Sequence, residues 1–279
     1  YNKGDCEMGN FLDLTRIFST FANQWSMENQ GCAGTLSYLI DDPSVQEFSV
    51  SGNFVATYDP PVEQVKTNSL SSFSFQNSSK DFKDQQILIN TTTPIAESWE
   101  LTSCVCPGGN AFGHVISPPI TDIPGMPIGD SVALDHDEKI THSHSYTWDV
   151  DQTIQLPPRS STKVTFQTQL KHVTQTFTVT YWMTGNIGVI SMHPINGNVE
   201  NYFPITQVLQ WYKSDQFTLD MEMNKVTAFS TGIYTATYQI QPQLLVQTTN
   251  LDNSTIVEEY VIDINTGTAA PVSKPNGCC

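Results

Sequence analysis

Positive charge is scarce in this chain. Its 279 residues carry 12 Lys and Arg against 28 Asp and Glu, a formal net charge of −16. A phosphate backbone is gripped by a basic footprint, so this balance excludes nucleic acid as the partner. Charge of either sign is sparse, at 14% of residues. Ser, Thr, Asn and Gln fill the polar positions instead, a texture that suits β-rich extracellular proteins. Long apolar runs are missing too: no fifteen consecutive residues are apolar, and a transmembrane helix needs ~20. Recognisable catalytic motifs are absent as well. There is no Gly-x-Ser-x-Gly, no His-Glu-x-x-His and no phosphate-cradling glycine loop. Carboxylates are plentiful, but nothing singles out a glycosidase-like pair among them. The expectation is a protein that is no enzyme and needs no cofactor.

Cysteines are few and even in number: Cys6, Cys32, Cys104, Cys106, Cys278 and Cys279. An even count favours disulfides in a secreted chain, although spacing alone leaves the connectivity open. Cys6 with Cys32 would close a loop around a helical segment. Cys104 and Cys106 would then pair with the vicinal Cys278 and Cys279. Bridges to a neighbouring molecule are the alternative, since the terminal pair follows a Pro-Val-Ser-Lys-Pro-Asn-Gly tail. Zinc is disfavoured because Cys-x-Cys plus Cys-Cys lacks the usual two-to-four-residue ligand spacing. Three sequons, at Asn77, Asn90 and Asn253, are candidate glycan acceptors. The chain starts at Tyr1 and not at Met, from which a removed signal peptide is expected. Together these features predict a secreted, extracellular glycoprotein.

The most informative stretch runs from Ile140 to Met183. From Ile140 to Leu156 the apolar residues Ile140, Tyr146, Trp148, Val150, Ile154 and Leu156 all fall on even positions, the period of a β-strand. A strand that long spans ~55 Å at ~3.3 Å per residue, against ~20 Å for an ordinary one. Leu156-Pro157-Pro158 breaks it. Thr162 to Met183 forms the partner, with apolar residues even up to Leu170 and odd from Val173, a phase change that predicts a β-bulge near Lys171-His172. Further strands are expected over 46–58, 62–76, 85–103, 187–192, 233–248 and 255–264.

Helical spacing appears in one long segment. Phe11, Leu14, Ile17, Phe18, Phe21 and Trp25 recur at helical intervals from Asn10, the expected N-cap, to Trp25. Val208 to Tyr212 is a second, short candidate. Residues 104–138 change texture to Gly and Pro. His142-x-His144 sets two imidazoles on one strand face, with His136 just upstream. That is ligand-like geometry, equally that of a solvated strand. A pH-sensing role for His136, His142 and His144 follows from the titration of imidazole near pH 6.5. No metal site is expected. Trp25, Tyr202, Trp211 and Tyr212 could stack on sugars or simply pack a core.

The segment Trp148 to Phe166, with Ile154, Leu156, Pro157, Pro158, Ser160 and Val164 at its turn, resembles the aerolysin-type β-pore-forming family, in the branch of epsilon toxin and the mosquitocidal toxins. Gly185 followed by Ile187–Ile190 fits the continuation, as do the Ser/Thr/Phe run 67–79 and the strand 85–93. The resemblance covers residues 46–264, and its sharp part is about twenty residues long. It implies a mainly β fold: an elongated aerolysin-like rod of long twisted antiparallel strands with a small head containing one or two helices. The head, a possible receptor-binding domain, would take residues 1–45 plus 195–232. The β module would take 46–194 plus 233–264, and 265–279 would be a tail.

The resemblance also implies self-association into rings and insertion of a hairpin into membrane lipid, with a glycan or protein receptor as a further partner. By position that hairpin lies between the strand ending at Ser103 and the one starting at Ile140. Phe112, Ile116 and Ile120 would form one arm, Ile128, Val132 and Leu134 the other, and 121–127 the tip. Pro118-Pro119 removes ladder donors from the first arm, and Cys104/Cys106 could tether the base. An ordinary ordered loop is the competing reading. Two functions follow: a pore-forming toxin or defence effector, or a non-lytic extracellular assembly protein on the same fold.

Overall fold

The computed structural model of the protein describes residues 7–8, 11–52, 56–106, 114–119, 131–134 and 139–272. Two short strands, β1 (Glu7–Met8) and β2 (Phe11–Asp13), precede helix α1 (Leu14–Glu28). Three more short strands follow: β3 (Gly34–Ser37), β4 (Ser49–Ser51) and β5 (Ala56–Tyr58). Then come β6 (Val62–Asn77), β7 (Lys83–Cys106), the short β8 (His114–Ile116) and β9 (Val132–Leu134), β10 (Lys139–Leu156) and β11 (Ser160–Thr184). β12 (Asn186–Ile195) and β13 (Asn198–Pro204) lead to α2 (Ile205–Tyr212) and β14 (Phe217–Asp220). β15 (Lys225–Asn250), β16 (Ile256–Asp263) and β17 (Ala269–Pro271) close the chain. The protein is mainly β, and the described residues hold two helices.

The long strands are those the alternation predicts, drawn out further. β7, β11 and β15 run 24, 25 and 26 residues, well beyond the usual five or six. In β10 every even residue from Ile140 is buried or half-buried and every odd one is exposed. In β11 the buried positions are even to Thr168 and odd from Val173, as the sequence phase requires. Along β6, however, the ladder shows no bulge at Lys171-His172. Those residues pair regularly with Val65 and Gln64 of β6. The register slips between Phe166 and Gln167, which face Ser71 and Ser69 and leave Leu70 of the partner strand unmatched. The extra residue belongs to β6, so this slip is distinct from the change of phase within β11.

The chain divides into two compact units. The first comprises 1–61, 98–141 and 175–234; the second comprises 62–97, 142–174 and 235–279. In the first, the antiparallel sheet β13-β12-β3 lies against α1. The helix begins at Leu14 and not near Asn10. Phe11–Asp13 are instead a strand paired in parallel with Cys104–Cys106, and Asp13 caps the helix, its Oδ1 accepting from the Arg16 amide at 3.1 Å. Leu14, Ile17, Phe18, Phe21 and Ala22 form the buried stripe of α1 and share one core with Val189, Phe203, Val208 and Leu209. Phe18 is fully buried, so Phe18→Ala costs ~3–5 kcal/mol through lost burial and a cavity.

Gly185 makes the break from β11 to β12. Its φ is +96°, and a Cβ there would lie 2.0 Å from the Glu47 carbonyl oxygen. Its own carbonyl accepts from the Ile205 amide at 3.1 Å and from Asn224 Nδ2 at 2.8 Å. Only glycine fits that conformation and that approach.

In the second unit, β11 pairs with edge strand β6, and β15 pairs with β16. The buried face here is partly hydroxyl and amide. Thr162 meets Thr248 at 3.0 Å, Thr168 donates to Gln239 at 2.5 Å, and Trp148 Nε1 donates to Thr93 at 2.9 Å. The Trp148 ring also touches Phe166 edge-on, 6.2 Å between centroids. Pairing satisfies these polar groups, which would otherwise cost ~1–3 kcal/mol each.

The Pro157-Pro158 turn is held by Asn77, which is 3% exposed. Its Nδ2 donates to the carbonyls of Asp81, Leu156 and Pro157 at 2.9, 3.1 and 3.0 Å. Arg159, at φ +49°, follows the prolines and grips Asp252 with two nitrogens, at 3.0 and 2.6 Å. The sequon reading of Asn77 is therefore corrected: its amide is buried, its two N–H groups are shared among three acceptors, and a glycan on Nδ2 would remove one of those donors and need room that the site lacks. Asn90 and Asn253 are exposed. Asn90 Nδ2 donates to Asp149 at 2.5 Å, and Asn253 Oδ1 accepts from the Thr255 hydroxyl at 2.7 Å.

Candidate insertion hairpin

The segment between β7 and β10 is the candidate site, and its root is built entirely within the first unit. β8 and β9 pair antiparallel, His114 with Leu134, Val115 with Ala133 and Ile116 with Val132. Ile116, Val132 and Leu134, three of the six expected hairpin residues, are 0%, 4% and 0% exposed. Phe112, Ile120, Ile128, His136 and the expected tip at 121–127 lie outside the described residues.

Past Ile116 the ladder gives way to side-chain bonds. Ser117 and Ser131 face each other with hydroxyls 2.8 Å apart. The Tyr58 hydroxyl donates to the Ser117 carbonyl at 2.7 Å. Tyr58 in turn belongs to an aromatic group, 5.7 Å from Phe177 and 6.1 Å from Tyr234, with Trp99 5.3 Å beyond Tyr234. Phe177, Tyr234 and Trp99 are essentially inaccessible to water. At Gly232 a Cβ would lie 2.2 Å from Phe177 Cζ and 2.6 Å from the Glu100 carbonyl, so this close approach also demands glycine. The arm is thus fastened at Ser117 to a residue of a rigid aromatic core. Sequence reasoning missed Tyr58 because the signal is a contact across 59 positions.

The other root lies at the end of β7. Cys104 and Cys106 are joined to each other, with Cα atoms 5.4 Å apart, which corrects the expected pairing of both with Cys278 and Cys279. Neighbouring side chains on one strand face come close enough for a bond, whereas the sequence offers no distance between Cys106 and the terminal pair. Cys6, Cys278 and Cys279 lie outside the described residues, and Cys32 is exposed with no bridge to any described residue. Val105, between the bridged pair, is fully buried, and its carbonyl accepts from the Tyr181 hydroxyl. Burial raises the Tyr181 phenol well above its ordinary range, so the hydroxyl stays protonated as the donor.

His142 and His144 stand side by side, ring centroids 6.4 Å apart, and the Nε2 of His144 is buried with no hydrogen-bond partner among the described residues. No group of three potential metal ligands occurs among the described residues. Of the aromatic residues considered for sugar stacking, one is buried and three are half-buried. Tyr212 is 5% exposed, Trp25 packs on Phe203 at 4.7 Å, and Trp211 packs on Phe21 at 5.8 Å. Tyr202, half-buried, donates to Glu200 at 3.1 Å. No described helix is long and apolar enough to cross a membrane, a test that does not address β-barrels.

Comparisons with known proteins agree on the fold. No sequence-family model and no curated protein matches the chain. Among solved structures, the Cry23Aa1 and Cry37Aa1 binary protein complex is similar with a TM-score of 0.62 at 15% identity, over 91% of this chain and 96% of that one. The Mpp75Aa1.1 β-pore-forming protein from Brevibacillus laterosporus gives 0.59 at 14% identity, over 94% and 98%. A non-toxic crystal protein from Bacillus thuringiensis gives 0.59 at 15% identity, over 88% and 100%. At such identities the likeness is one of fold. Long paired strands and a small helical core therefore come together as the aerolysin-like β-pore-forming toxin fold.

Proposed function

We propose that this chain is a secreted protein that assembles with copies of itself and inserts the 107–138 hairpin into a membrane as a toxin or defence effector. The observation that carries this reading is the root of the hairpin. Ile116, Val132 and Leu134 lie on one face of an antiparallel pair and are withdrawn from water. A membrane-spanning strand needs such a one-sided apolar face. Burying it in the soluble form keeps the protein from aggregating before it meets lipid. The net charge of −16 disfavours plain attraction to anionic lipid, so a glycan or protein receptor would bring the chain to its target. Residues 1–45 and 195–232 are the proposed receptor-binding head. Dye release from liposomes, together with oligomers that survive SDS, tests the proposal. Absence of release across receptor-bearing membranes, protease treatment and pH 5 to 8 would overturn it.

A second reading has its own support. One protein of the same fold is a non-toxic crystal protein, and Cys32 is exposed without a bridge among the described residues. On that reading the chain assembles extracellularly through intermolecular disulfides and never enters lipid. Non-reducing electrophoresis of native material would then show a ladder that collapses on reduction.

A further inference from the structure

We infer that the outward face of the β3-β12-β13 sheet is a protein-docking surface whose partner is a cationic segment of a receptor protein, Lys or Arg set among apolar residues. The inference deepens the reading of a receptor-bound chain given above and rests on it. β12 is the middle strand, so its alternation defines the two faces of the sheet. Ile187 and Val189 point inward, to the core they share with α1, which leaves Gly188, Ile190 and Met192 outward. Two large apolar side chains therefore stand in water at the centre of the sheet: Ile190 is 40% exposed and Met192 69%. Leu39, just past β3, is 77% exposed. Both edges of β12 are already paired, so a partner meets the face of this strand and not an edge.

Acid surrounds this apolar strip. Pairing sets Ile190 between Thr35 and Glu200, and Gly188 between Ser37 and Tyr202. The Tyr202 hydroxyl donates to Glu200 at 3.1 Å. The same carboxylate overhangs Gly188, where a Cβ would lie 2.8 Å from its Oε1. Asp41 and Asp42 converge on the same phenol: partial burial, the bond to Glu200 and the charges of Glu200, Asp42 and Asp41 together raise it above its ordinary range. None of the three carboxylates forms an ion pair with a described residue. The neighbouring chain supplies no cation either, since no Lys or Arg occurs between Arg16 and Lys66 or between Lys171 and Lys213. The first unit as a whole takes nearly two thirds of the Asp and Glu but under half of the Lys and Arg.

Charge decides the occupant. An apolar centre with a polar rim is the anatomy of a protein interface, and opposite charge on the partner fixes register and speeds encounter. A second copy carries the same net charge of −16 and is repelled. Anionic lipid and acidic glycans are repelled in the same way. A segment that spaces Lys or Arg around apolar side chains covers Ile190 and Met192 and neutralises Asp41, Asp42 and Glu200 at once.

The test uses the full chain and zwitterionic liposomes that carry, on a lipid anchor, a peptide of alternating Lys and Leu. Sedimentation with the liposomes reads docking, and dye release reads insertion. Asp41→Asn, Asp42→Asn and Glu200→Gln together remove three charges while keeping the side-chain shapes. Asp84→Asn, Asp149→Asn and Asp151→Asn remove three from the second unit. Docking should weaken at least tenfold in the first variant and less than twofold in the second, and it should weaken as salt rises from about 50 to about 300 mM. Ile190→Thr with Met192→Thr should cost a similar factor. No sedimentation of the parent overturns the proposal, as does equal loss in the two charge variants. So does docking to a neutral glycolipid that is lost with Ile190→Thr and Met192→Thr, since the face would then be a glycan site. If the first variant does not fold, the salt dependence and the Ile190/Met192 pair decide the matter. Docking without dye release supports the surface and counts against insertion, whereas release from other receptor-bearing liposomes without docking to the peptide does the reverse, so the two failures are distinguishable.

Discussion

Replacing Asn77 should unfasten the Pro157-Pro158 turn, and the magnitude can be worked from the bonds it makes. Its side-chain nitrogen serves three carbonyls, at Asp81, Leu156 and Pro157, while its oxygen accepts from the Ser79 amide at 3.1 Å and hydroxyl at 2.6 Å. Asn77→Ala strands those groups in a site that is 3% exposed. Each buried polar group left unpaired costs ~1–3 kcal/mol. With the outermost carbonyl regaining water, the sum is ~3–5 kcal/mol. At ~2–4 °C per kcal/mol for domains of this size class, Tm falls by roughly 6–20 °C. Asn77→Asp is the sharper variant. It preserves volume and the bonds to Ser79, but it removes the donor and turns a carboxylate toward three carbonyl oxygens. If packing were the cause, Asp would be harmless; if the donor is the cause, Asp is at least as damaging as Ala. Thermal and urea unfolding of the pair decide between these. An Asp variant within ~1 kcal/mol of the parent would refute the reasoning. So would a glycan found on Asn77 by mass spectrometry of material from a glycosylating host.

Other expectations follow from single contacts. Tyr58→Phe removes the bond to the Ser117 carbonyl and leaves the ring, so global stability should drop by only ~0.5–1.5 kcal/mol, while hydrogen exchange at Ile116 quickens clearly more than at Val179. Gly185→Ala sets a methyl group against the Glu47 carbonyl at a positive φ; the expected loss exceeds ~3 kcal/mol, read as failure to accumulate soluble protein, and a normally stable variant would contradict the geometry. The hydrogen bond from Arg159 holds Asp252 below its ordinary value of 3.8. A depressed carboxyl contributes stability that is fully present above that value and is lost as pH falls through the folded-state pKa. Asp252→Asn should therefore lower stability slightly near neutrality and flatten the acid limb of a stability-versus-pH curve below about pH 4, where variant and parent converge.

The sequence made the long strands legible because alternation needs nothing but neighbours. Ile140 to Leu156 could be assigned residue by residue, and its inward positions are those expected. The start of α1 was not legible: Phe11 continues the helical stripe, but pairing with Cys104–Cys106 overrides it, and that partner is a hundred residues away in the chain. The slip in β6 was not legible for a related reason, since two strands share a register and only one was being read. In the candidate site, Ile116, Val132 and Leu134 were visible as an alternating pair of arms. Tyr58 and the Cys104–Cys106 bridge were not, because each is defined by a distance and not by a pattern. Asn77 shows the reverse error, a short motif whose residues serve the fold.

Each compact unit is assembled from three separate stretches of chain, and the backbone passes from one unit to the other five times. No truncation, therefore, yields either unit alone, and neither can be handed to another protein by joining genes end to end. Recognition in such a molecule has to diversify by substitution and by loop insertion, at turns such as 38–48 or 213–216, and not by swapping a module. Synthesis is affected as well. The core around α1 stays incomplete until residues near 228 have emerged, so a nascent chain holds its longest strands unpaired for most of its translation.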